Sequence, residues 1–118
     1  MSDILQKYSE SIDRGSFSGK LFDVGSYPAA IINGEDGGRV YGELYKLTNP
    51  DALFHHLDPY EGFDADEPSK SLYLRKKVTV KTEDGNQLTA WTYLYNRPVE
   101  CLSHIPNGDY LNYLKSKP

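Results

Sequence analysis

The segment that follows Leu57 concentrates side chains able to transfer protons or to bind a cation. It contains five carboxylic acids, namely Asp58, Glu61, Asp64, Asp66 and Glu67. A carboxyl group serves as a general acid and base when an apolar pocket raises its pKa toward neutrality. A calcium loop would need regularly alternating ligands around a central glycine, a pattern that this segment lacks. Acid–base chemistry is therefore favoured over a calcium site, and a solvated acidic loop stays the alternative.

The other reactive side chains do not form the pattern of a metal site or of a nucleophilic site. Adjacent His55 and His56 would point about 100° apart on a helix, so they cannot both face one metal ion. His104 has no partner at a metal-ligand spacing, and Cys101 is the only cysteine. We therefore expect no metal, no organic cofactor and no disulfide, with Cys101 acting as a small apolar side chain.

The composition limits the classes of protein to which the chain can belong. Its 118 residues, 38% of them apolar and 25% charged, are enough for one domain with a core. The net charge of −4 disfavours nucleic acid and anionic membranes as partners. No apolar run approaches the roughly 20 residues that span a bilayer, and no signal-peptide pattern opens the sequence. We expect a single cytoplasmic domain over residues 1–118.

In the first half of the chain, the sequence pattern predicts one short helix followed by strands. Ten tyrosines and ten glycines against one methionine favour strands and turns over a helix bundle. Apolar spacing predicts an amphipathic helix over 2–12, and strands over 15–22, 29–32 and 39–47. The Asn-Gly and Gly-Gly pairs between the last two predict that those two strands form a hairpin.

In the second half of the chain, the sequence pattern predicts one more helix and the hairpin with the strongest signals in the sequence. A helix over 51–57 should follow Asn49-Pro50 and end at Pro59, before an irregular loop. The stretches 71–81 and 88–95 alternate in polarity across Asp84-Gly85, and a terminal helix or turn follows near 109–114. The fold class expected is α+β, with a small mixed, mainly antiparallel sheet that curls into a partly closed barrel with short helices.

Several segments carry a family resemblance in their order along the chain. They are Gly25-Ser-Tyr-Pro-Ala-Ala, Val40-Tyr-Gly-Glu-Leu-Tyr, Leu57-Asp-Pro-Tyr-Glu-Gly-Phe, Tyr73-Leu-Arg-Lys-Lys-Val, Ala90-Trp-Thr-Tyr-Leu-Tyr-Asn and Ile105-Pro-Asn-Gly-Asp-Tyr. The chain thereby resembles the gamma-glutamylcyclotransferase-like family, and within it the gamma-glutamylamine cyclotransferase branch. The Asp58-x-x-Glu61-Gly62 element is the most specific part. The resemblance implies a partly closed barrel whose cavity converts a gamma-glutamyl compound to 5-oxoproline and releases an amine.

The same resemblance assigns roles to three side chains. It implies that Glu61 is the general acid and base, and that Tyr73 contacts the substrate, with Tyr27 as a second substrate contact. No protein nucleophile is needed, because the substrate's own α-amino group attacks its γ-carbonyl carbon. We expect Phe54, Tyr60 and Phe63 to be the apolar neighbours that raise the pKa of Glu61.

The chain departs from the family pattern at its beginning. Family members open with a strand that ends in Tyr-Gly-Ser/Thr-x-Leu and binds the glutamyl carboxylate, and no such turn precedes Phe17. The similar string Tyr41-Gly42-Glu43-Leu44 matches a later strand, where a glutamate would repel a carboxylate. We expect the first strand to be missing, with weak or no turnover. A homodimer, or the segment 1–12, would then cover the open sheet edge.

Two other classes of function stay open on the sequence. One is a catalytically silent small-ligand or protein-interaction module on the same fold, and the other is a truncated chain that folds poorly or only by pairing with another copy. The residues fit gamma-glutamyl peptides, gamma-glutamyl amines and acylated antibiotic intermediates equally well.

Overall fold

The computed structural model describes residues 7–25, 27–32, 38–110 and 113–114. In this part of the chain the elements are β1 (Ser9–Asp23), β2 (Pro28–Ile32), β3 (Arg39–Leu47), α1 (Pro50–Tyr60), a 3-10 turn (Pro68–Lys70), β4 (Tyr73–Thr82), β5 (Gln87–Tyr95) and β6 (Ser103–Ile105). The strands form one six-stranded sheet, and all pairings between them that the described residues show are antiparallel. The α+β fold class is therefore confirmed.

Strand β1 organises the sheet because four other strands pair with it. Its residues 9–18 pair with β3, and its last five residues pair with β2 and, in part, with β6. The link to β4 consists of Gly15 opposite Thr82 and Ser16 opposite Lys81. The sheet curls until β2 contacts β5, but no pairing among the described strands closes it into a barrel.

The core lies on the concave side of this curl. It is built by Phe17, Leu21, Val40, Leu44, Val78, Val80, Leu94 and Ile105. Val78 and Val80 lie on one face of β4, as the alternation predicts, whereas Leu72 and Leu74 are only partly buried. Tyr73, on the opposite face, is also buried, because Tyr27 and Pro28 cover it.

The structure corrects two predictions for the first half of the chain. Residues 7 and 8 are helical, as the helix over 2–12 predicts, but residues 9–12 belong to β1, because residues 9–11 pair with β3 and Ile12 forms an exposed bulge beside them. Residues 1–6 lie outside the described part. The segment 29–32 pairs with β1 instead of with β3, and the Val24 amide donates to the Tyr27 carbonyl where β2 returns along β1. Most of the turn predicted at 33–38 also lies outside the described residues.

The second half follows the predictions more closely. Helix α1 begins at Pro50, where the Asn49 side chain accepts a hydrogen bond from the Ala52 amide. It continues through Pro59, which lies in the last turn, where its missing N–H removes only one helix bond. The hairpin of β4 and β5 across Asp84-Gly85 is confirmed.

Three further observations concern Cys101, the end of the chain and the length of the helices. Cys101 is exposed, so the prediction that it fills the core is wrong. Residues 110, 113 and 114 are helical, as expected near the end of the chain. None of the helices within the described ranges is long and apolar enough to cross a bilayer.

Candidate active site

A cavity of about 760 Å³ opens between the curled sheet and the end of α1. Its volume falls within the range typical of small-molecule sites, roughly 300 to 1,000 Å³. Part of its wall is aliphatic core. The rest is mainly aromatic and acidic, and includes Tyr27, Tyr41, Glu43, Tyr60, Glu61, Tyr73, Trp91, Tyr93 and Tyr110.

The local sequence fixes Glu61 at the point where α1 ends. Glu61 is the C-cap residue, and Gly62 follows it with a φ of 70°, a backbone conformation that favours glycine. The Gly62 amide donates to the Pro59 carbonyl, and the Phe63 amide donates to the Asp58 carbonyl at 2.8 Å. These two bonds form a Schellman motif, which stops the helix with Glu61 facing the cavity. Gly62 is thus needed for the backbone conformation that ends the helix, and this conformation places the Glu61 carboxyl at the cavity.

The carboxyl group of Glu61 is partly withdrawn from water. Its burial in the cavity wall raises its pKa above the ordinary carboxyl value of 4.5. The negative end of the α1 dipole lies at the same place and acts in the same direction. Glu61 therefore has the property that a proton-transferring carboxyl requires near neutral pH.

Tyr27, Tyr73 and Glu61, the three candidate site residues, all line this cavity. The Tyr73 hydroxyl donates a 2.7 Å hydrogen bond to the Pro28 carbonyl, which ties β4 to the start of β2. Burial, followed by the nearby Tyr27 and Glu61, raises the pKa of Tyr73, so this hydroxyl stays protonated. The Tyr27 ring lies 6.2 Å from the Tyr73 ring, and its hydroxyl has no hydrogen-bond partner among the described residues.

A second polar cluster, which the sequence did not reveal, lies behind Glu61. Arg75 donates to both carboxylate oxygens of Asp58, through Nε at 2.9 Å and Nη2 at 3.2 Å. The Tyr93 hydroxyl donates to the same carboxylate at 2.5 Å. We call Asp58, Arg75 and Tyr93 the Asp58 clamp. It joins the last turn of α1 to the neighbouring strands β4 and β5.

The three aromatic side chains expected beside Glu61 are divided between the cavity and the Asp58 clamp. Tyr60 lines the cavity, whereas Phe54 and Phe63 do not. Their rings flank the Arg75 guanidinium instead, at 4.0 and 5.7 Å from its central carbon. The reason is that α1 turns Phe54 toward the face of β4 and β5 that carries Arg75 and Trp91, where the Trp91 ring lies 4.7 Å from the same guanidinium.

The charged groups of the cavity wall are all acidic in the described part of the chain. Glu43 and Glu61 line the cavity, and no lysine or arginine of the described residues does. The described residues also contain no group of three or more His, Cys, Asp or Glu side chains placed to hold a metal ion. The site thus combines a carboxyl of raised pKa with an aromatic wall, carried by a curled antiparallel sheet.

Comparison with known proteins assigns the chain to a family. The model of the family "Gamma-glutamyl cyclotransferase, AIG2-like" matches residues 2–112, and the chain belongs to that family. A relative from Halalkalibacterium halodurans, provisionally named a gamma-glutamylcyclotransferase, is 31% identical over 100 residues, covering 84% of each chain. The gamma-glutamylcyclotransferase family protein YtfP of Escherichia coli K12 is 32% identical over 93 residues, covering 79% of this chain and 68% of its own.

Solved structures show the same fold. The crystal structure of YkqA from Bacillus subtilis superposes with a TM-score of 0.70 at 28% identity, over 98% of this chain. The chain spans 37% of YkqA. The solution structure of YtfP from Escherichia coli superposes with a TM-score of 0.63 at 27% identity, over 92% of this chain and 83% of YtfP. The predicted family and its fold are therefore confirmed.

Proposed function

We propose that the protein is a gamma-glutamyl cyclotransferase, which cyclises a gamma-glutamyl amine or peptide to 5-oxoproline and releases the amine. The observation that carries this proposal is the placement of Glu61, a carboxyl of raised pKa on the wall of a cavity of about 760 Å³, in a chain of this family. Cyclisation needs one group that accepts and returns a proton, and Glu61 supplies such a group.

The proposed reaction needs no group other than this carboxyl to transfer protons. Glu61 accepts a proton from the substrate's α-ammonium, and the freed amine attacks the γ-carbonyl carbon of the same molecule. A nitrogen–carbon bond forms within the new five-membered ring. The attacking nitrogen loses a second proton as it becomes the ring amide. The bond from that carbon to the leaving amine breaks, and Glu61 passes both protons in turn to the departing nitrogen, which leaves as an ammonium ion. No water and no other reactant is consumed.

The two candidate tyrosines would have different parts in this reaction. The Tyr73 hydroxyl is engaged by the Pro28 carbonyl, so we infer that Tyr73 contributes the face of its ring as a wall beside the glutamyl chain. Tyr27 lines the cavity and its hydroxyl has no partner among the described residues, so we infer that this hydroxyl donates a hydrogen bond to the substrate. A Tyr27→Phe variant should therefore raise KM more than a change confined to the outer surface would.

The charge of the cavity wall favours some leaving groups over others. Glu43 and Glu61 are acidic, and no cation of the described residues lines the cavity. Like charges repel across a low-dielectric cavity. We therefore infer that a neutral or cationic leaving amine is preferred over an amino acid that brings additional carboxylates.

The test is an assay of 5-oxoproline release from a panel of gamma-glutamyl compounds. The panel contains a simple neutral amide, a diamine conjugate that is cationic and a dipeptide with an acidic second residue. We expect weak turnover of the first two, because no carboxylate-binding turn of the family type precedes Phe17. For Glu61→Gln we expect a further loss of about 100- to 10,000-fold in kcat, the scale of one general acid–base group. Glu67→Gln is the matched control, because Glu67 lies in the same acidic segment and its side chain is exposed.

Two results would contradict the proposal. Equal turnover by wild type and Glu61→Gln would remove Glu61 from the mechanism. A folded wild type that binds gamma-glutamyl compounds, detected by a shift in melting temperature, and yet releases no 5-oxoproline would favour the silent ligand-binding module instead.

A further inference from the structure

The C-terminal turn of α1 is held by side chains that the proposed reaction does not use. In the Asp58 clamp, one carboxylate accepts three hydrogen bonds, two from Arg75 and one from Tyr93. The side chains of Asp58 and Arg75 are each about four-fifths buried, with 21% and 20% of their surfaces exposed. A carboxylate–guanidinium pair with two parallel hydrogen bonds is both strong and directional. The clamp therefore sets the position and the direction of this turn.

Aromatic rings keep water from this ion pair. The Arg75 guanidinium lies against Phe54 on α1 and against Trp91 on β5, with its central carbon 4.0 and 4.7 Å from the two ring centroids. The two rings meet edge to face, 5.8 Å apart. Partial desolvation strengthens the attraction of a cation for both the rings and the carboxylate. Contacts with α1 and with β5 thus fix the Arg75 guanidinium, which is a requirement for a residue that positions another one.

The clamp is connected to Glu61 by a short and stiff path. Asp58 lies three residues before Glu61, and its carbonyl accepts the Phe63 amide in the Schellman motif. The same turn is fixed from β4, because the Leu72 amide donates to the Gly62 carbonyl at 2.9 Å. Any movement of the Asp58 side chain is therefore passed to the backbone on both sides of Glu61.

We propose that Asp58, Arg75 and Tyr93 are positioning residues that keep the Glu61 carboxyl in the cavity wall, a role that rests on the cyclotransferase function proposed above. None of the three is required to touch the substrate through the groups that form the clamp, since these are engaged with one another. Without the clamp, the turn after α1 loses its attachment to the two strands. Glu61 then becomes more accessible to water.

The Tyr93→Phe variant tests this role with little disturbance of charge. It removes one hydroxyl from the clamp and keeps the ring that lines the cavity. Burial and the hydrogen bond to Asp58 raise the pKa of Tyr93, so its hydroxyl is uncharged throughout the pH range in which Glu61 titrates. The variant leaves the other titratable and charged groups of the cavity wall and of the clamp in place, namely Tyr27, Tyr41, Glu43, Asp58, Tyr60, Tyr73, Arg75 and Tyr110. A change in the pKa of Glu61 then reports its exposure to water.

The main measurement is the titration of the Glu61 carboxyl by NMR, with carbon-13 in the glutamate side chains and Glu61→Gln to assign the signal. We expect the pKa of Glu61 to fall toward its ordinary value in Tyr93→Phe and in Arg75→Lys. The lysine keeps the charge but cannot form two parallel hydrogen bonds. We also expect kcat at neutral pH to fall roughly 10- to 100-fold, with KM changed by less than about threefold, as for a misplaced catalytic group.

The matched control is Tyr113→Phe. The Tyr113 hydroxyl donates to Asp23 at 2.8 Å, so this variant removes the same kind of tyrosine–aspartate bond at another place in the fold. We expect it to leave the pKa of Glu61 and the ratio of kcat to KM unchanged. Circular dichroism should show that each variant is folded.

The possible failures are distinguishable. If the wild type releases no 5-oxoproline, the proposed function is wrong, and the NMR titration still decides whether the clamp positions Glu61. If the wild type is active and Glu61 titrates identically in the wild type, Tyr93→Phe and Arg75→Lys, the positioning role is overturned and the function stands.

Discussion

Glu61 lies at a position where its ionisation costs free energy. The Schellman motif at Gly62 holds it in the cavity wall, and burial raises its pKa. Most carboxyl groups in proteins are either solvated or paired with a cation. A partly buried carboxyl with a raised pKa is therefore more typical of functional sites than of the rest of a protein. The same property makes the carboxyl suited to accept and return a proton and makes it unfavourable for stability.

We predict that Glu61→Gln stabilises the protein above neutral pH and not in acid. A raised pKa means that the folded state binds the proton more tightly than the unfolded chain does. This contribution is present below pH 4.5 and is lost as the pH rises through the raised pKa. Above that range the uncharged glutamine avoids the cost of a partly buried charge.

The measurement is thermal unfolding of wild type and Glu61→Gln at pH 4 and pH 8. We expect the melting temperature of the variant to exceed that of the wild type by about 2 to 4 °C at pH 8, with little difference at pH 4. The exposed Glu67→Gln should show no such pH-dependent difference. A variant that is equally or less stable than the wild type at pH 8 would contradict the burial of the Glu61 charge.

At the scale of elements, the long strand β1 decides how the chain is organised. Its 15 residues serve as the partner of β3 in the first part and of β2 and β6 in the second. The attachment of β6 to the sheet is reinforced just after this strand, at Gly108, whose carbonyl accepts a hydrogen bond from the Tyr41 amide of β3 at 2.8 Å. The segment after β6 is thus attached to the strand that lines the cavity.

We predict that Gly108→Ala is far more destabilising than Gly85→Ala. Both glycines have a positive φ, 67° and 90°, so both substitutions introduce backbone strain of about 1 to 2 kcal/mol. A Cβ at Gly85 would have no atom within 4 Å, whereas a Cβ at Gly108 would lie 1.7 Å from the Arg39 carbonyl oxygen. The second clash is with backbone, which cannot move aside without breaking the contact with β3.

Urea unfolding of the two variants checks this prediction. We expect Gly85→Ala to lower the free energy of unfolding by about 1 to 2 kcal/mol, and Gly108→Ala by at least twice as much. Equal losses would mean that the approach of Gly108 to Arg39 is looser than the structure shows.

At the scale of the molecule, the sheet consists of two ladders joined by a short junction. β4 pairs with β5 from Tyr73 to Lys81, and β1 pairs with β3 over a similar length. Among the described residues, the ladders are joined by two residue pairs of β1 and β4, and the Glu83 amide adds a 3.3 Å bond to the Arg14 carbonyl. Side-chain packing in the core must therefore hold the ladders together.

We predict that the junction opens before the ladders do. Short hydrogen-bonded segments at an exposed end of a strand open at lower free energy than long paired ones. In native-state hydrogen exchange the Glu83 amide should exchange at least about 10-fold faster than the most protected amides of β4 and β5. Equal protection would indicate that the two ladders unfold only as one unit.

The expected homodimer stays a prediction at this scale. The outer edge of β5 has no strand partner among the described residues, and Leu88 and Trp91 on this strand are exposed. An unpaired edge with exposed apolar side chains favours association with a second copy. Sedimentation of the purified protein would measure its oligomeric state.

Signals close together in the sequence were enough to predict several elements, and the family resemblance pointed to Glu61. The cap at Asn49, the proline after it and the apolar spacing predict α1, and the glycine at 62 follows the acidic residue that ends the helix. Alternation and the Asp-Gly pair predict the hairpin of β4 and β5. These elements succeed because their hydrogen bonds join residues only a few positions apart or across one short turn.

The surroundings of Glu61 depend on contacts that only the folded chain makes. A two-residue turn at Asp84-Gly85 would place Arg75 opposite Leu94, but the loop has three residues, and Arg75 lies opposite Tyr93. That register brings both side chains to Asp58, which lies 35 residues before Tyr93.

The pairing of β2 with β1 and the bond from Tyr73 to Pro28, 45 residues away, are equally nonlocal. Periodicity in a sequence states which face of a strand is apolar, but not which other strand will cover it. The sequence alone therefore determined α1, the hairpin of β4 and β5 and, through the family resemblance, the acid–base candidate. Packing between distant segments decided which side chains bury that carboxyl and which hold it in place.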